Sequence, residues 1–333
     1  NTIKAYNENK LKEMDQNKLW LIMTGFSCNS NCLLCSLRPQ AKFNKDKDTE
    51  EITEMIRTGQ KSGYKRIEFT GGEPTIRPDI FELIAAAKKS GFEEIAISTN
   101  GRMLGYERFL NKAVDAGLNR ITVTLYGSKP EIHNAVSRTP DSFDQTVSGI
   151  KNILTKEKIA LSVNTVVCRL NCRDLLETGR FISELGVKVW GVLDLIPFGN
   201  AEQFYDILSV DIETLSSSMR RLREITEDFD QIEFFDFPVC VLGKELTQNQ
   251  RVTVFDAQGR MDEFKQVGYN PRRFENKDDF CEDIHKSRIA VCKNCAMNRR
   301  CAGIWKPYPA IFGKASVEKA VRHCAVDFLN SPE

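Results

Sequence analysis

The stretch "LWLIMT" (19–24) is an unbroken apolar run, which predicts a buried strand. Comparable runs follow at "RIEFT" (66–70), "EIAIST" (94–99), "RITVTL" (120–125), "IALSVNTVV" (159–167) and "VKVWGVLDLI" (187–196). Helical patterns fill the gaps between them. The first has Asp48 as its cap, Glu51 three residues on, apolar Ile52, Met55 and Ile56, and Gly63 as its stop. The second, "PDIFELIAAAKKSG" (78–91), has proline at its start and glycine at its end. Further helices are expected over 106–116, 142–155 and 173–185.

Six strand–helix units with short connections imply parallel strands and right-handed crossovers. Near-continuous apolar strands fit a sheet whose outer face is covered by helices. Such a sheet could be open and doubly wound or curved like a barrel, with too few units for a full eight-fold one; of the two, a partial (βα)6 barrel of parallel strands is the expected α/β fold. Function then belongs at the C-terminal ends of the strands. Past Pro197 the pattern changes to a helix over 210–228, a strand "QIEFFDF" (231–237), and a weakly periodic, cysteine-rich remainder. The expected division is an N-terminal extension (1–15), a core (16–214) and a smaller cysteine-rich α+β domain (215–333).

Composition narrows the field. Lys and Arg number 47 against 46 Asp and Glu, a net charge of +1, so no global field draws the chain to nucleic acid or anionic lipid. No apolar run is long enough to span a bilayer, and the polar start lacks the apolar core of a signal peptide, so a cytoplasmic protein is expected. Eleven cysteines, with tight clusters near residue 30 and between 281 and 301 and no secretory signal, point to metal ligation rather than disulfides.

The first cluster is "CNSNCLLC", with Cys28, Cys32 and Cys35 directly after the first strand. Thiolates so spaced can hold a soft metal or an iron–sulfur cluster. A structural zinc would want a fourth ligand nearby, and the 60 residues after Cys35 contain neither Cys nor His. A cubane held by three thiolates leaves one iron open to a chelating amine and carboxylate. C-x3-C-x2-C in the first βα loop of a parallel α/β domain resembles the signature of the radical S-adenosylmethionine (radical SAM) enzymes. In that family SAM fills the open site, and its reductive cleavage yields a 5′-deoxyadenosyl radical that abstracts a hydrogen atom.

Other stretches carry the same resemblance. "FTGGEPTIRPDI" (69–80) is similar to the family's GGEP motif at the end of the second strand. The resemblance implies that Gly71, Gly72, Glu73 and Pro74 hold the SAM amino group. It sets Ser98 and Asn100 of "STNG", and Asn164, near the ribose. "TLYG" (124–127) and "HNAVSRTPDSF" (133–143) resemble stretches in which Thr124 and Arg138 would meet the SAM carboxylate. Leu195 is the candidate for adenine packing, as is Leu34, which stands where many relatives carry an aromatic. Tyr126 replaces the family's common Asp and is assigned no role. The resemblance also implies a flavodoxin- or ferredoxin-type electron donor.

The second cluster, "CKNCAMNRRCAGIW" (292–305), sets Cys292, Cys295 and Cys301 at C-x2-C-x5-C. Zinc is one reading. The segment also resembles the twitch and SPASM extensions of radical SAM enzymes, which implies an auxiliary [4Fe–4S] cluster. Trp305 stands where a full SPASM pattern continues with cysteine, so one auxiliary cluster is expected. Cys240 is the favoured fourth ligand, with Cys281 and then Cys324 as alternatives. Cys168 and Cys172 read as structural thiols. The expected function is a radical SAM oxidoreductase acting on a ribosomally made peptide by oxidation or cross-linking. A cyclase or epimerase of small-molecule biosynthesis is the alternative, and a non-catalytic electron carrier a different class. The segment before residue 19 is too short to expect a separate leader-binding domain within it. No catalytic residue is assigned.

Overall fold

The computed structural model describes residues 19–38, 40–255, 264–267, 286–299 and 301–329. Its centre is one sheet of nine strands in the order β8-β7-β6-β5-β4-β3-β2-β1-β9. The six expected strands are β1 (Leu19–Met23), β2 (Arg66–Thr70), β3 (Glu94–Thr99), β4 (Arg120–Thr124), β5 (Ala160–Val166) and β6 (Val189–Leu193). They lie side by side in chain order, and each neighbouring pair is parallel. The linking helices are α1 (Thr49–Lys61), α2 (Ile80–Lys89), α3 (Glu107–Ala116), α4 (Pro130–Ser137), α5 (Ser142–Leu154) and α6 (Leu175–Glu184). The start of α1 is a capping box, with Glu51 N–H donating to Asp48 and Asp48 N–H donating to Glu51.

The two faces of the sheet differ in chemistry. Ile67, Phe69, Ile95, Ile97, Ile121 and Val123 are buried in the main core. Their in-between neighbours are polar and partly exposed: Arg66, Glu68, Ser98, Thr122 and Asn164. The register sets those groups side by side, and they pair across strands. Glu94 takes Arg66 at 2.9 Å and Arg120 at 3.0 Å, Ser98 donates to Glu68, and the Thr122 and Ser162 hydroxyls meet at 3.0 Å.

Three further strands widen the sheet beyond the six units. β7 (Gln231–Phe235) pairs in parallel with β6 from Val189↔Gln231 to Leu193↔Phe235, and β8 (Val252–Phe255) pairs in parallel with β7. β9 (Phe264–Val267) pairs in parallel with β1 at the opposite edge. The stretch expected as a strand of the smaller domain therefore continues the main sheet, because Ile232 and Phe234 extend its buried row.

Around β7 lie α7 (Ile212–Arg221) and α8 (Val239–Thr247). Arg220 fastens them to the C-terminal region, donating to the carbonyls of Cys240 at 3.3 Å and Cys324 at 2.7 Å. An antiparallel ribbon of β10 (Lys286–Ser287) and β11 (Ile304–Trp305) precedes α9 (Lys314–Cys324). Cys281 lies outside the described residues. Among the described residues, no helix is long and apolar enough to cross a membrane.

Phe234 is fully buried in β7. Phe234→Ala should cost about 3–5 kcal/mol by leaving a cavity. Since β7 is hydrogen-bonded into the six-strand sheet, the loss should appear in the main unfolding transition monitored by denaturant and circular dichroism. A separate early transition, with the main one unmoved, would show that β7 unfolds independently.

Candidate functional site

The cysteine loop leaves β1 at Met23 and is held from four directions. Gly72 N–H donates to Gly25 O and Glu73 N–H to Ser27 O, both at 2.8 Å, which lays the 71–73 backbone along the loop. A Cβ on Gly72 would lie 2.1 Å from Ser27 O, and one on Gly71 would lie 2.6 Å from Gly25 O. Gly71 also has φ +127°, where a side chain would be strained. The glycines are thus required by contact between two loops.

From α4, the carbonyls of Ser137 and Val136 accept Asn31 N–H at 3.2 Å and Leu33 N–H at 2.9 Å. From the end of β3, Asn100 donates through Nδ2 to Asn29 Oδ1 at 2.7 Å, and Arg102 donates to Asn29 O and, at 3.3 Å, to Ser30 Oγ. From beyond β6, Asn200 donates its N–H to Cys35 O at 3.0 Å and its side-chain amide to Cys32 O at 3.1 Å. Asp46 closes the start of the loop, its Oδ1 accepting Phe26 N–H at 2.6 Å and Ser27 N–H at 3.0 Å. Burial acts to raise that carboxyl, but these donors and Arg77 outweigh it and hold Asp46 below its usual range.

Glu73 is the hub of this end of the sheet. Its carboxylate is buried, at 2 % exposure. Oε1 accepts the Thr75 N–H at 3.0 Å and the hydroxyls of Thr75 at 2.6 Å and Thr99 at 2.7 Å. Oε2 accepts the Asn100 N–H at 2.7 Å. A carboxylate oxygen offers about two lone pairs, so Oε2 has capacity for one more donor. Burial still raises the carboxyl above its usual range despite these donors, and a nearby cation would bring it down again by favouring the charged form.

The three thiols lie together at this end. Burial, with lesser contributions from Glu73 and Cys35, pushes Cys28 up to about 11, and burial, with lesser contributions from Cys28 and Cys35, pushes Cys32 up to about 12. Cys28 Sγ accepts the Ser30 N–H at 3.4 Å. Burial, followed by the neighbouring cysteines, raises the phenol of Tyr126, which sequence reasoning left without a role, well above its usual range.

The remaining expected residues divide by their present contacts. Thr124 and Asn164 pair across the ends of β4 and β5, and Asn164 Oδ1 lies over β6, 2.2 Å from where a Cβ on Gly191 would stand. Arg138 is exposed, has φ +51°, and makes no hydrogen bond or ion pair among the described residues. Leu34 and Leu195 are buried, and Pro74 is buried at the start of the turn after β2. Ser98 is turned to Glu68, and Asn100 is engaged with the cysteine loop.

The second cysteine group also comes together. Cys240, at the start of α8, lines one cavity with Cys292, Cys295 and Cys301. Its remaining walls include Val239, Val291, Ile304 and Val321. Cys301 Sγ accepts N–H groups from Val239 and Gly303, each at 3.4 Å. Cys324 is buried beside Cys240 but does not line the cavity. Burial, followed by the charges of Cys301, Cys324, Cys292 and Cys295, pushes the Cys240 thiol well above its usual range.

Comparison with known proteins agrees with this geometry. The sequence profile of the Radical SAM superfamily matches residues 22–210. A probable GTP 3′,8-cyclase of Methanocaldococcus jannaschii is 30% identical over 190 residues, which cover 56% of this chain and 62% of that protein. An AdoMet-dependent heme synthase of Methanosarcina barkeri is 28% identical over 201 residues, 59% of this chain and 55% of that one. The chain thus spans less than two thirds of these relatives. In structure, native anSMEcpe with bound AdoMet and Cp18Cys peptide matches with a TM-score of 0.62 at 16% identity, covering 92% of this chain and 96% of that one. Streptococcus suis SuiB bound to precursor peptide SuiA matches with a TM-score of 0.53 at 17% identity, covering 76% of this chain and 53% of that one. These likenesses are of the fold, and the match to anSMEcpe covers most of the chain.

Gly72→Ala should displace the 25–27 backbone, because the new methyl collides with a carbonyl rather than a flexible side chain. The expected result is loss of iron from the N-terminal site after anaerobic reconstitution, read by iron analysis, while the C-terminal site stays loaded. Full iron in the variant would mean that the two loops separate without consequence.

Proposed function

Because the chain belongs to the radical SAM superfamily, which uses a [4Fe–4S] cluster and SAM, we propose that Cys28, Cys32 and Cys35 hold that cluster. When bound, the pair supplies a 5′-deoxyadenosyl radical that takes a hydrogen atom from the substrate. The chain's own residues bind, orient and shield. Glu73 and the 71–74 backbone take the SAM ammonium, using the capacity left on Oε2. Arg138 would offer its guanidinium, and Thr124 its hydroxyl, to the carboxylate. Asn100, Asn164 and Ser98 would serve the ribose. Leu34 and Leu195 give apolar contact to adenine.

Cys240, Cys292, Cys295 and Cys301 hold one auxiliary [4Fe–4S] cluster. What supports it is that four cysteines distant in sequence line a single cavity. Thiolates arranged around a cavity suit a cubane, where each binds a different iron, better than a zinc ion that four ligands must share. With four protein thiolates the cluster has no open iron, so its role is electron transfer or structural support.

The substrate reading is a peptide, oxidised or cross-linked, with a flavodoxin- or ferredoxin-type protein as electron donor. The observation that carries it is the extent of the structural likeness to peptide-bound anSMEcpe, which runs through the C-terminal region and covers 92% of this chain. A small-molecule cyclisation is the second reading, favoured by 30% identity to a probable GTP 3′,8-cyclase, although that match spans only 190 residues.

Reconstituted wild-type protein should carry about eight irons per chain, four for each cubane. Replacing Cys28, Cys32 and Cys35 together by Ala should abolish 5′-deoxyadenosine formation and leave about half the iron. Cys240→Ala should lose the other half. Retained SAM cleavage in the triple variant refutes the first assignment, and a full iron count in Cys240→Ala moves the fourth ligand to Cys281 or Cys324. GTP should leave 5′-deoxyadenosine formation at its background, whereas GTP-dependent stimulation would favour the second reading.

A further inference from the structure

Between Cys35 and the cap of α1 the chain runs out as a strap over residues 36–47. Both of its ends are fixed to the cysteine loop. At the first, Asn200 N–H donates to Cys35 O at 3.0 Å, and a Cβ on Gly199 would lie 2.3 Å from Ser36 O. At the second, Asp46 Oδ1 accepts the N–H groups of Phe26 and Ser27, just before Cys28. Lys47 N–H donates to Thr24 O at 3.3 Å, and Arg77 donates to Lys47 O at 2.8 Å and Thr24 O at 3.1 Å. A short turn shapes the middle, where Ala41 N–H is shared between Leu37 O and Arg38 O. The strap is therefore held beside the three thiols although it supplies none of them.

Its chemistry is one-sided. Residues 36–48 include four cations, Arg38, Lys42, Lys45 and Lys47, and two anions, Asp46 and Asp48. Both anions are committed to backbone N–H groups, Asp46 to Phe26 and Ser27, and Asp48 to Glu51. Arg38, Lys42 and Lys45 are exposed. Next to Lys42 stands Phe43, at 86 % exposure the barest large apolar side chain among the described residues. A single exposed apolar residue is ordinary. This one has lysines on either side and sits on a segment pinned at both ends. An aromatic anchor within a charged rim is how a small interface is built. The chain total is only +1, so no global field supplies this charge, and a phosphate backbone would call for a longer row of cations. A one-electron donor needs only a brief contact beside the acceptor, at the small end of interface sizes.

Resting on the proposal that Cys28, Cys32 and Cys35 hold a cluster, we propose that this strap is the docking surface for that cluster's electron donor, an acidic protein of the flavodoxin or ferredoxin kind. Phe43 is the apolar anchor, and Arg38, Lys42 and Lys45 steer and orient the partner's carboxylates. The partner gives up one electron, the same electron that reductive cleavage of SAM consumes, and leaves oxidised. No bond forms between the two proteins.

The double variant Lys42→Glu with Lys45→Glu, and separately Phe43→Ala, change exposed side chains only. Isothermal titration calorimetry of the reconstituted protein with an oxidised flavodoxin, and in parallel with an oxidised ferredoxin, reads binding directly. At about 0.01 M salt the charge reversal should weaken the tighter-binding donor about tenfold. The difference should shrink at about 0.15 M, where the screening length falls from about 30 Å to about 8 Å. Phe43→Ala should weaken binding about tenfold at both. 5′-Deoxyadenosine formation driven by the reduced donor should fall in step. Formation driven by dithionite, a small reductant that needs no docking, should stay at the wild-type rate. Variants that bind both donors as the wild type does overturn the docking role. So do variants that lose dithionite-driven cleavage equally, because the strap is then structural. So does binding of a short duplex DNA that is lost in the variants while both donors still bind. A wild type that makes no 5′-deoxyadenosine with dithionite overturns the cluster assignment itself.

Discussion

A single buried carboxylate organises the catalytic end of this fold. Glu73 sits where β2 ends, and its four hydrogen bonds reach Thr75, Thr99 and Asn100, so it ties its own loop to the end of β3. Asn100 in turn reaches Asn29 in the cysteine loop. The order of these contacts matters. A buried carboxylate is costly unless its lone pairs are filled, so the surrounding donors are drawn to one geometry. The two glycines before it allow the backbone to lie against residues 25–27, and the loops from three strands become one piece. Apolar packing alone could not specify that arrangement, because it has no direction.

The same region explains why the thiols need a partner. Burial raises Cys28 and Cys32 and so favours their protonated, neutral forms, which keeps the loop from carrying adjacent negative charges. Cluster assembly must expel those protons, so binding and local order are coupled. Arg102, with its side chain bonded to Asn29 O and Ser30 Oγ, is a fixed positive charge at the loop and offsets part of the charge that ligation introduces. Backbone clamps at Asn31, Leu33 and Cys35 limit the loop's freedom before any metal arrives, which lowers the ordering cost of binding.

Much of this was legible along the chain. The strands were readable because each is a short apolar run bounded by turn residues, and the capping box of α1 is written in Asp48 and Glu51. The cysteine triad and GGEP were readable because their spacing is local. What failed to show was long-range. Asn200 fastens the cysteine loop across 168 residues, and no local pattern around it says so. Asp46 and Arg102 look like ordinary loop charges until the fold brings them to Ser27 and Ser30. Tyr126 looks like a departure from a motif, and nothing local shows that its N–H donates to His133 and its carbonyl accepts the Asn171 amide. The glycine pair is legible as part of GGEP, but nothing local says that the atoms a side chain there would strike belong to the neighbouring loop. β7 was assigned to the C-terminal part because the composition changes before it, yet strand pairing follows the row of buried side chains rather than composition.

The junction between the two cysteine groups follows the same logic as Glu73. The ribbon that carries Trp305 begins just after Cys301, and Trp305 donates its indole N–H to Asp194 Oδ2 at 2.9 Å, at the end of β6. Lys286, on the paired strand, is buried, lies 4.4 Å from the Trp305 ring centre, and donates to Asp236 O beyond β7. Burial pushes the Asp194 carboxyl up to about 7, with Lys286 and the indole N–H opposing and Asp236 adding to the rise. Such a junction is a poor source of stability, since desolvating a lysine and a carboxylate takes back most of what their attraction gives. Its value is direction. An indole N–H and an ammonium each have few acceptable partners, so the ribbon can seat on the barrel in one way only. Leu195 follows Asp194 directly, and Gly303 sits between Cys301 and Trp305 with N–H aimed at the sulfur. A shift at either cysteine group would therefore have to break a buried polar contact at the junction, which makes the separation between the two sites a property fixed by the fold rather than by any ligand.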